Sequence, residues 1–218
     1  INLSIAGFGG LFEGPISSKG SYLFSVRRSY LELIKNSIRL TSVPNYWDFN
    51  LKANYDLSST DKIKVIGLLG LDKIDFSGES AQNNPYGNSL SNQNTLATGI
   101  SCTKLFRKGY WENVISDAYS ENFVRQIDSR TADPIFDYTS NNNEVIFRSS
   151  LNYILSGTFT INTGVGGKLA SINSETYLKG DTNAAGFVYD TINAVAKFDT
   201  YKFFGHVNVT GKFFNDRL

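Results

Sequence analysis

Few side chains in this sequence are equipped for catalysis. One histidine, His206, and one cysteine, Cys102, stand among 218 residues. A Ser-His-Asp relay would have to use His206, the only imidazole base, and no oriented nucleophile accompanies it in the sequence. Cys102 is too solitary for a disulfide or a thiolate metal cage. Aligned with Leu96 and Ile100, it reads as a small apolar residue on one face of a strand. Asp128, Asp133 and Asp137 share one segment with Arg125 and Arg130. Calcium loops set acidic ligands at alternate positions around a glycine; this segment has none there and reads as a solvated loop. Gly164-Val165-Gly166-Gly167-Lys168-Leu169 would need Gly at Asn162, a hydroxyl residue at Leu169 and a following helix to hold phosphate. A strand with small residues in a crowded wall is the better reading. Asn208-Val209-Thr210 matches the glycosylation triplet but lies within a strand pattern. The sequence thus assigns no catalytic residue, no metal ligand and no cofactor, and it leaves any ligand-binding residues unidentified.

What must position these residues is a set of strands. Lys+Arg number 21 against 20 Asp+Glu, a charge of +1, with no basic block, so nucleic acid is not an expected partner. Hydrophobic residues at 41% exclude a chain disordered by composition. Aromatic residues reach 14%. Position 1 is Ile rather than Met, and the expectation is a removed leader or a longer parent chain. Period-two alternation runs throughout. It is sharpest at Tyr46–Leu57, where Trp47, Phe49, Leu51, Ala53, Tyr55 and Leu57 oppose Asp48, Asn50, Lys52, Asn54 and Asp56. It recurs at Val145–Tyr153, Phe159–Leu169 and Tyr201–Thr210, and more weakly at Leu3–Phe12, Tyr22–Leu31, Ile63–Leu71, Leu96–Phe106 and Trp111–Tyr119. That makes nine strands. Tyr30–Ile38 is the stretch closest to a helical period, and it is short.

Strands of ten or more residues exceed the ~5–6 of an ordinary soluble sheet and match the ~9–11 tilted residues that cross a bilayer. Tyr22, Tyr30, Tyr46, Trp47, Tyr55, Tyr110, Trp111, Tyr119, Tyr153 and Tyr201 lie near strand ends, as interfacial girdles require. Connections alternate short and long: Glu13–Ser21, Ser58–Lys62, Arg107–Tyr110 and Leu155–Thr158 against Glu32–Asn45, Asp72–Thr95, Ser120–Glu144 and Ala170–Thr200. Tight turns on one side and extended loops on the other are the outer-membrane barrel pattern. A further hairpin is conceivable around Gly186–Lys197. Lys52, Arg148 and Lys168 should face a lumen. Of Arg27 and Arg28, which point to opposite faces, one should be lumenal or near a strand end. The fold class is therefore all-β, an antiparallel up-and-down meander forming a partial transmembrane β-barrel across residues 1–218, with a soluble β-sandwich as the alternative.

Phe12-Glu13-Gly14-Pro15-Ile16, followed by Gly20-Ser21-Tyr22-Leu23-Phe24-Ser25-Val26-Arg27-Arg28-Ser29-Tyr30-Leu31, resembles the start of the barrel in TonB-dependent outer-membrane receptors. The nearest subgroup carries a carboxypeptidase-regulatory-like domain. Tyr46-Trp47-Asp48-Phe49-Asn50-Leu51-Lys52 resembles a further strand of that family. The resemblance covers Ile5–Asp72, beyond which strand rhythm alone agrees. It implies uptake of a scarce nutrient (siderophore, cobalamin, peptide or glycan) across the bacterial outer membrane, with lipid, a plug domain and the TonB complex as partners. It also implies a fragment, because such barrels have about 22 strands and the plug would precede Ile1. Ligand contacts would come from Asp72–Thr95, Ser120–Glu144 and Ala170–Thr200. The alternatives are a passive porin-like or structural barrel and, behind them, an outer-membrane hydrolase centred on His206.

Overall fold

The computed structural model describes residues 2–3, 7–31, 42, 44–76, 88–182, 186 and 188–211. Twelve strands occur among them: β1 (Asn2–Leu3), β2 (Gly7–Ser17), β3 (Gly20–Ser29), β4 (Pro44–Asp56), β5 (Asp61–Asp75), β6 (Asn88–Phe106), β7 (Gly109–Ile127), β8 (Pro134–Ile154), β9 (Phe159–Leu178), β10 (Asp181–Thr182), β11 (Val188–Tyr189) and β12 (Ile192–Gly211). The nine long ones form an antiparallel meander, each paired with its sequence neighbour from β2 through β9 to β12, and β1 adds two residues to the edge of β2. The nine expected strands are present. The hairpin sought near Gly186–Lys197 exists only as the two-residue pairing of β10 with β11, in a separate sheet. Ile192–Gly211 form the long strand β12. The helical-period stretch Tyr30–Ile38 lies almost wholly outside the described residues, as does the C-terminal 212–218.

Directly opposed residues of an antiparallel pair share a face. The register therefore carries one apolar face across the whole sheet. Phe24 opposes Leu51 and Val26 opposes Phe49; Phe49 opposes Leu69 and Tyr55 opposes Ile63. Leu69 meets Leu96 and Val65 meets Ile100, Ile100 meets Ile115, and Ile115 meets Phe147 while Trp111 meets Leu151. Beyond them Val145 meets Leu169, and Leu169 meets Tyr201. Trp47, Phe49, Leu51 and Tyr55 thus share a face with Phe147, Leu151 and Phe159, as the alternation predicts. Asp48, Asn50, Lys52, Arg148, Lys168 and His206 lie on the other.

Among the described residues nothing covers the apolar face. Among the described residues no large side chain is fully buried, and Trp111 is 47% exposed, Phe147 48% and Phe203 82%. A soluble sandwich would hide these residues under a second layer, and this single sheet has none, so the sandwich alternative fails. Through β6 and β9 the apolar positions are also the more open ones: Leu96 and Ile100 are exposed beside half-buried Ala97 and Gly99, and Val165 is exposed between buried Gly164 and Gly166. Side chains diverge on the outside of a curved wall and converge inside it, so β6 and β9 carry the exposure pattern of an apolar face turned outward. On β5 the order reverses, with Ile66 and Leu68 open on the polar side.

Gly166 makes the close strand packing possible near the β12 edge. A Cβ at Gly166 would collide with the Phe204 ring and come within 2.7 Å of the Phe147 carbonyl oxygen, whereas one at Gly67 would meet only the Leu51 Cβ at 3.8 Å. Gly166→Ala should destabilise the folded barrel by about 1–3 kcal/mol through overpacking, while Gly67→Ala leaves it nearly unchanged. Urea unfolding in micelles compares the two.

Candidate functional site

The wall has two unlike ends. At one, turns are tight: Ser18-Lys19, 57–60, Arg107-Lys108 and 155–158 join the strands. The 57–60 turn is held by its own side chains: the Ser58 hydroxyl donates to Asp61 Oδ2 at 2.6 Å and accepts from the Asp61 amide at 2.9 Å. Tyr22, Tyr55, Phe106, Trp111, Tyr153 and Phe159 all lie on the apolar face within a few residues of these turns, and the Phe106 and Tyr153 rings pack at 6.1 Å. Further along stand Trp47, Tyr119 and Tyr201. Eight residues separate Tyr55 from Trp47, and eight separate Trp111 from Tyr119. At ~3.3 Å per residue and a tilt of ~40° this is about 20 Å, close to the ~25 Å apolar band of a membrane barrel between its girdles. Two expected girdle residues fall elsewhere: Tyr46 and Tyr110 are on the polar face, because the strand register alternates them away from Trp47 and Trp111.

Above the second girdle the strands continue. The segments read as long loops, Ser120–Glu144 and Ala170–Thr200, are largely strand: β7 and β8 are 19 and 21 residues long and only 128–133 connects them. Asp72–Thr95 likewise lies mostly in β5 and β6 wherever it is described. The alternation search missed this because both faces turn polar there, which erases the contrast while backbone pairing continues. On the formerly apolar face Asn94 donates to Glu121 at 3.1 Å, Tyr119 donates to Asn141 at 3.1 Å, and Arg125 forms a two-pronged pair with Asp137 at 2.7 and 3.2 Å. Sequence reasoning passed over this polar extension; its only signal was the Asn/Ser/Thr density of 139–143 and 171–176.

The residues singled out for chemistry are dispersed. His206 Nε2 lies 2.7 Å from Asn162 Oδ1 on the polar face of edge strand β12, and among the described residues its ring is in no hydrogen bond with a nucleophile or a carboxylate. Cys102 is exposed on the apolar face. Gly164–Leu169 is interior to β9, and Asn208–Thr210 interior to β12. Asp128, Asp133 and Asp137 do not converge: Asp128 pairs with Arg130, Asp133 with Lys179, and Asp137 with Arg125. Lys168 pairs with Glu144 on the polar face. Arg27 faces Asp48 there, while Arg28 lies over the Trp47 ring at 4.7 Å, at the upper girdle where it reaches water.

In the 128–133 turn, hydrogen bonds from the Arg130 amide and side chain hold the Asp128 carboxyl below its ordinary 3.8, and the Lys179 ammonium does the same for Asp133. Asp133 in turn raises Lys179. Depressed carboxyl values support the turn above the ordinary carboxylate range and lose that support as pH falls through the folded values. The raised lysine contributes below the ordinary lysine value and is lost as pH rises through its own. Protease nicking of 128–133 should therefore be lowest near neutrality and rise at both extremes, most visibly below the carboxylate range.

No family model matches the sequence, and no curated protein does. Solved structures do. The ferric yersiniabactin uptake receptor FyuA from Yersinia pestis matches with a TM-score of 0.63 at 12% identity, over 95% of this chain and 35% of that one. The siderophore receptor PiuA from Acinetobacter baumannii gives 0.58 at 8%, covering 94% and 39%. The outer membrane transporter YddB from Escherichia coli gives 0.56 at 8%, covering 94% and 32%. The chain spans about a third of the length of the structures it matches. At these identities the likeness is one of fold, and the fold is that of a partial outer-membrane β-barrel wall of the TonB-dependent receptor type.

Proposed function

We propose that residues 1–218 form one partial barrel domain of a TonB-dependent receptor that takes up a scarce nutrient across the bacterial outer membrane. The observation that carries this is the match of nearly the whole chain to three receptor and transporter walls. An apolar face of membrane height, uncovered among the described residues, supports it. In this reading lipid covers that face, a plug domain fills the concave side against Lys52, Arg148 and the Lys168–Glu144 pair, and TonB supplies the energy. The Phe12–Ile16 turn and the Tyr46–Lys52 strand support the finer assignment to the carboxypeptidase-regulatory-like subgroup. The nutrient is a siderophore, cobalamin, peptide or glycan, and it meets the polar strand extensions of Asp72–Thr95, Ser120–Glu144 and Ala170–Thr200. In this reading the protein acts as a transporter rather than an enzyme.

The test is short-term uptake of labelled iron chelate, cobalamin, peptide or glycan by a strain deleted for the complete gene and by its parent, with and without an uncoupler of the inner-membrane proton gradient. Loss of uptake of one nutrient in the deletion strain, reproduced in the parent by the uncoupler, is the expected result. Uptake that persists with the gradient collapsed would replace this reading with a passive porin.

A further inference from the structure

We infer that the tight-turn end of the wall carries a binding site for an anionic phospholipid, on the outer side of the Arg107-Lys108 turn. Three turns are knit side by side there. The Leu105 amide donates to the Thr60 carbonyl at 2.7 Å, and the Ile154 amide donates to the Lys108 carbonyl at 2.7 Å. These bonds hold 57–60, Arg107-Lys108 and 155–158 in one row beneath the lower girdle, in the middle of the sheet and away from its edge strands. Given the membrane reading above, on which this placement rests, the row meets the headgroups of the periplasmic leaflet.

The charges of the row select the ligand class. Lys104 opposes Trp111 on the apolar face, and its ammonium stands 3.7 Å from Asp61 Oδ1. Asp61 is engaged by its own turn, where the Ser58 and Thr60 hydroxyls donate to Oδ2 at 2.6 and 3.0 Å. Arg107 and Lys108 are exposed, and their side chains enter no ion pair or hydrogen bond among the described residues. Glu112 and the Asp56–Lys62 pair are directed to the polar face by the register. Three cations thus meet one carboxylate on the outer side. A phosphodiester without an ammonium fits that balance, whereas a zwitterionic headgroup brings a cation of its own. The guanidinium offers a planar fork for two phosphate oxygens. Leu57 and Leu155 follow Tyr55 and Tyr153 by two residues, one in each flanking turn, and both stay exposed, as does Phe106. Free phosphate would leave these side chains in water, and a lipid covers them. At the opposite end Glu121–Asp137 sets four carboxylates against two arginines, which disfavours the same ligand there.

The test is native mass spectrometry of the complete polypeptide in detergent micelles, given phosphatidylglycerol and phosphatidylethanolamine with identical acyl chains. Retention of phosphatidylglycerol is expected to exceed that of phosphatidylethanolamine by about twentyfold, since each cation beside an anionic headgroup contributes about fivefold. Arg107→Gln combined with Lys108→Gln should bring the ratio near one. Lys62→Gln, which removes a cation from the polar face of the same end, should leave the ratio unchanged. Heat-shift electrophoresis confirms that the variants remain folded. Equal retention of the two lipids, a preference indifferent to the double variant, or an equal loss in Lys62→Gln overturns the site. Displacement of the lipid by water-soluble glycerophosphoglycerol also overturns it, by assigning a phosphate site that needs no acyl chain. A folded wall without lipid preference removes this site and leaves the membrane reading intact. Failure of the uptake assay leaves the site standing, because no transport step enters it.

Discussion

Leu51→Arg should obstruct membrane assembly of the complete polypeptide, while Asn50→Arg, one residue away, is tolerated. Leu51 opposes Phe24 on one side and Gly67 on the other, in the middle of the apolar face, and is 42% exposed. An arginine there must enter hydrocarbon, at about 2–4 kcal/mol near the midplane and less toward the interfaces. Asn50 lies on the concave side, where its amide donates to the Ser25 hydroxyl at 3.1 Å. An arginine at position 50 gives up that hydrogen bond, worth about 1 kcal/mol, and keeps its charge in a polar lumen. Folded fractions from heat-shift electrophoresis after refolding into vesicles report the difference. Equal assembly of the two variants would remove the lipid face.

Residues 1–218 expressed alone should fail to insert as a monomer. Among the described residues the sheet is open: β12 pairs with β9 alone, and β2 has only the two residues of β1 on its outer side. Sealing β2 to β12 within a nine-strand meander would require a parallel seam, and complete bacterial barrels use even strand numbers with antiparallel closure. An unpaired edge in hydrocarbon costs several kcal/mol for each bare amide or carbonyl, and β12 is 20 residues long. In water the same edge templates strand addition between copies. The expected outcome is aggregation on removal of denaturant, with no heat-shifted band and no protease-protected core in vesicles. A stable, protected monomer would mean that the edges close in lipid.

The sequence by itself determined the strand count, the faces and the unequal ends, and the physical reason is the period-two geometry of a strand. Where one side meets lipid and the other water, as at Trp47, Phe49 and Leu51 against Asp48, Asn50 and Lys52, alternate side chains must differ, and the contrast is written residue by residue. It also offered no partner for chemistry to His206, Cys102 or the Asp128–Asp137 run. The tertiary structure decided the rest. Where both faces meet water the contrast vanishes, so the extensions of β7, β8, β9 and β12 were hidden although their backbone ladders continue unbroken. Register across strands is set by pairing between distant segments, and no local pattern encodes it. That register sends Tyr46 and Tyr110 to the polar face. It also brings Arg125, Asp137, Tyr177 and Asn193 from four strands into one row, a cluster whose members lie up to 68 residues apart in the chain.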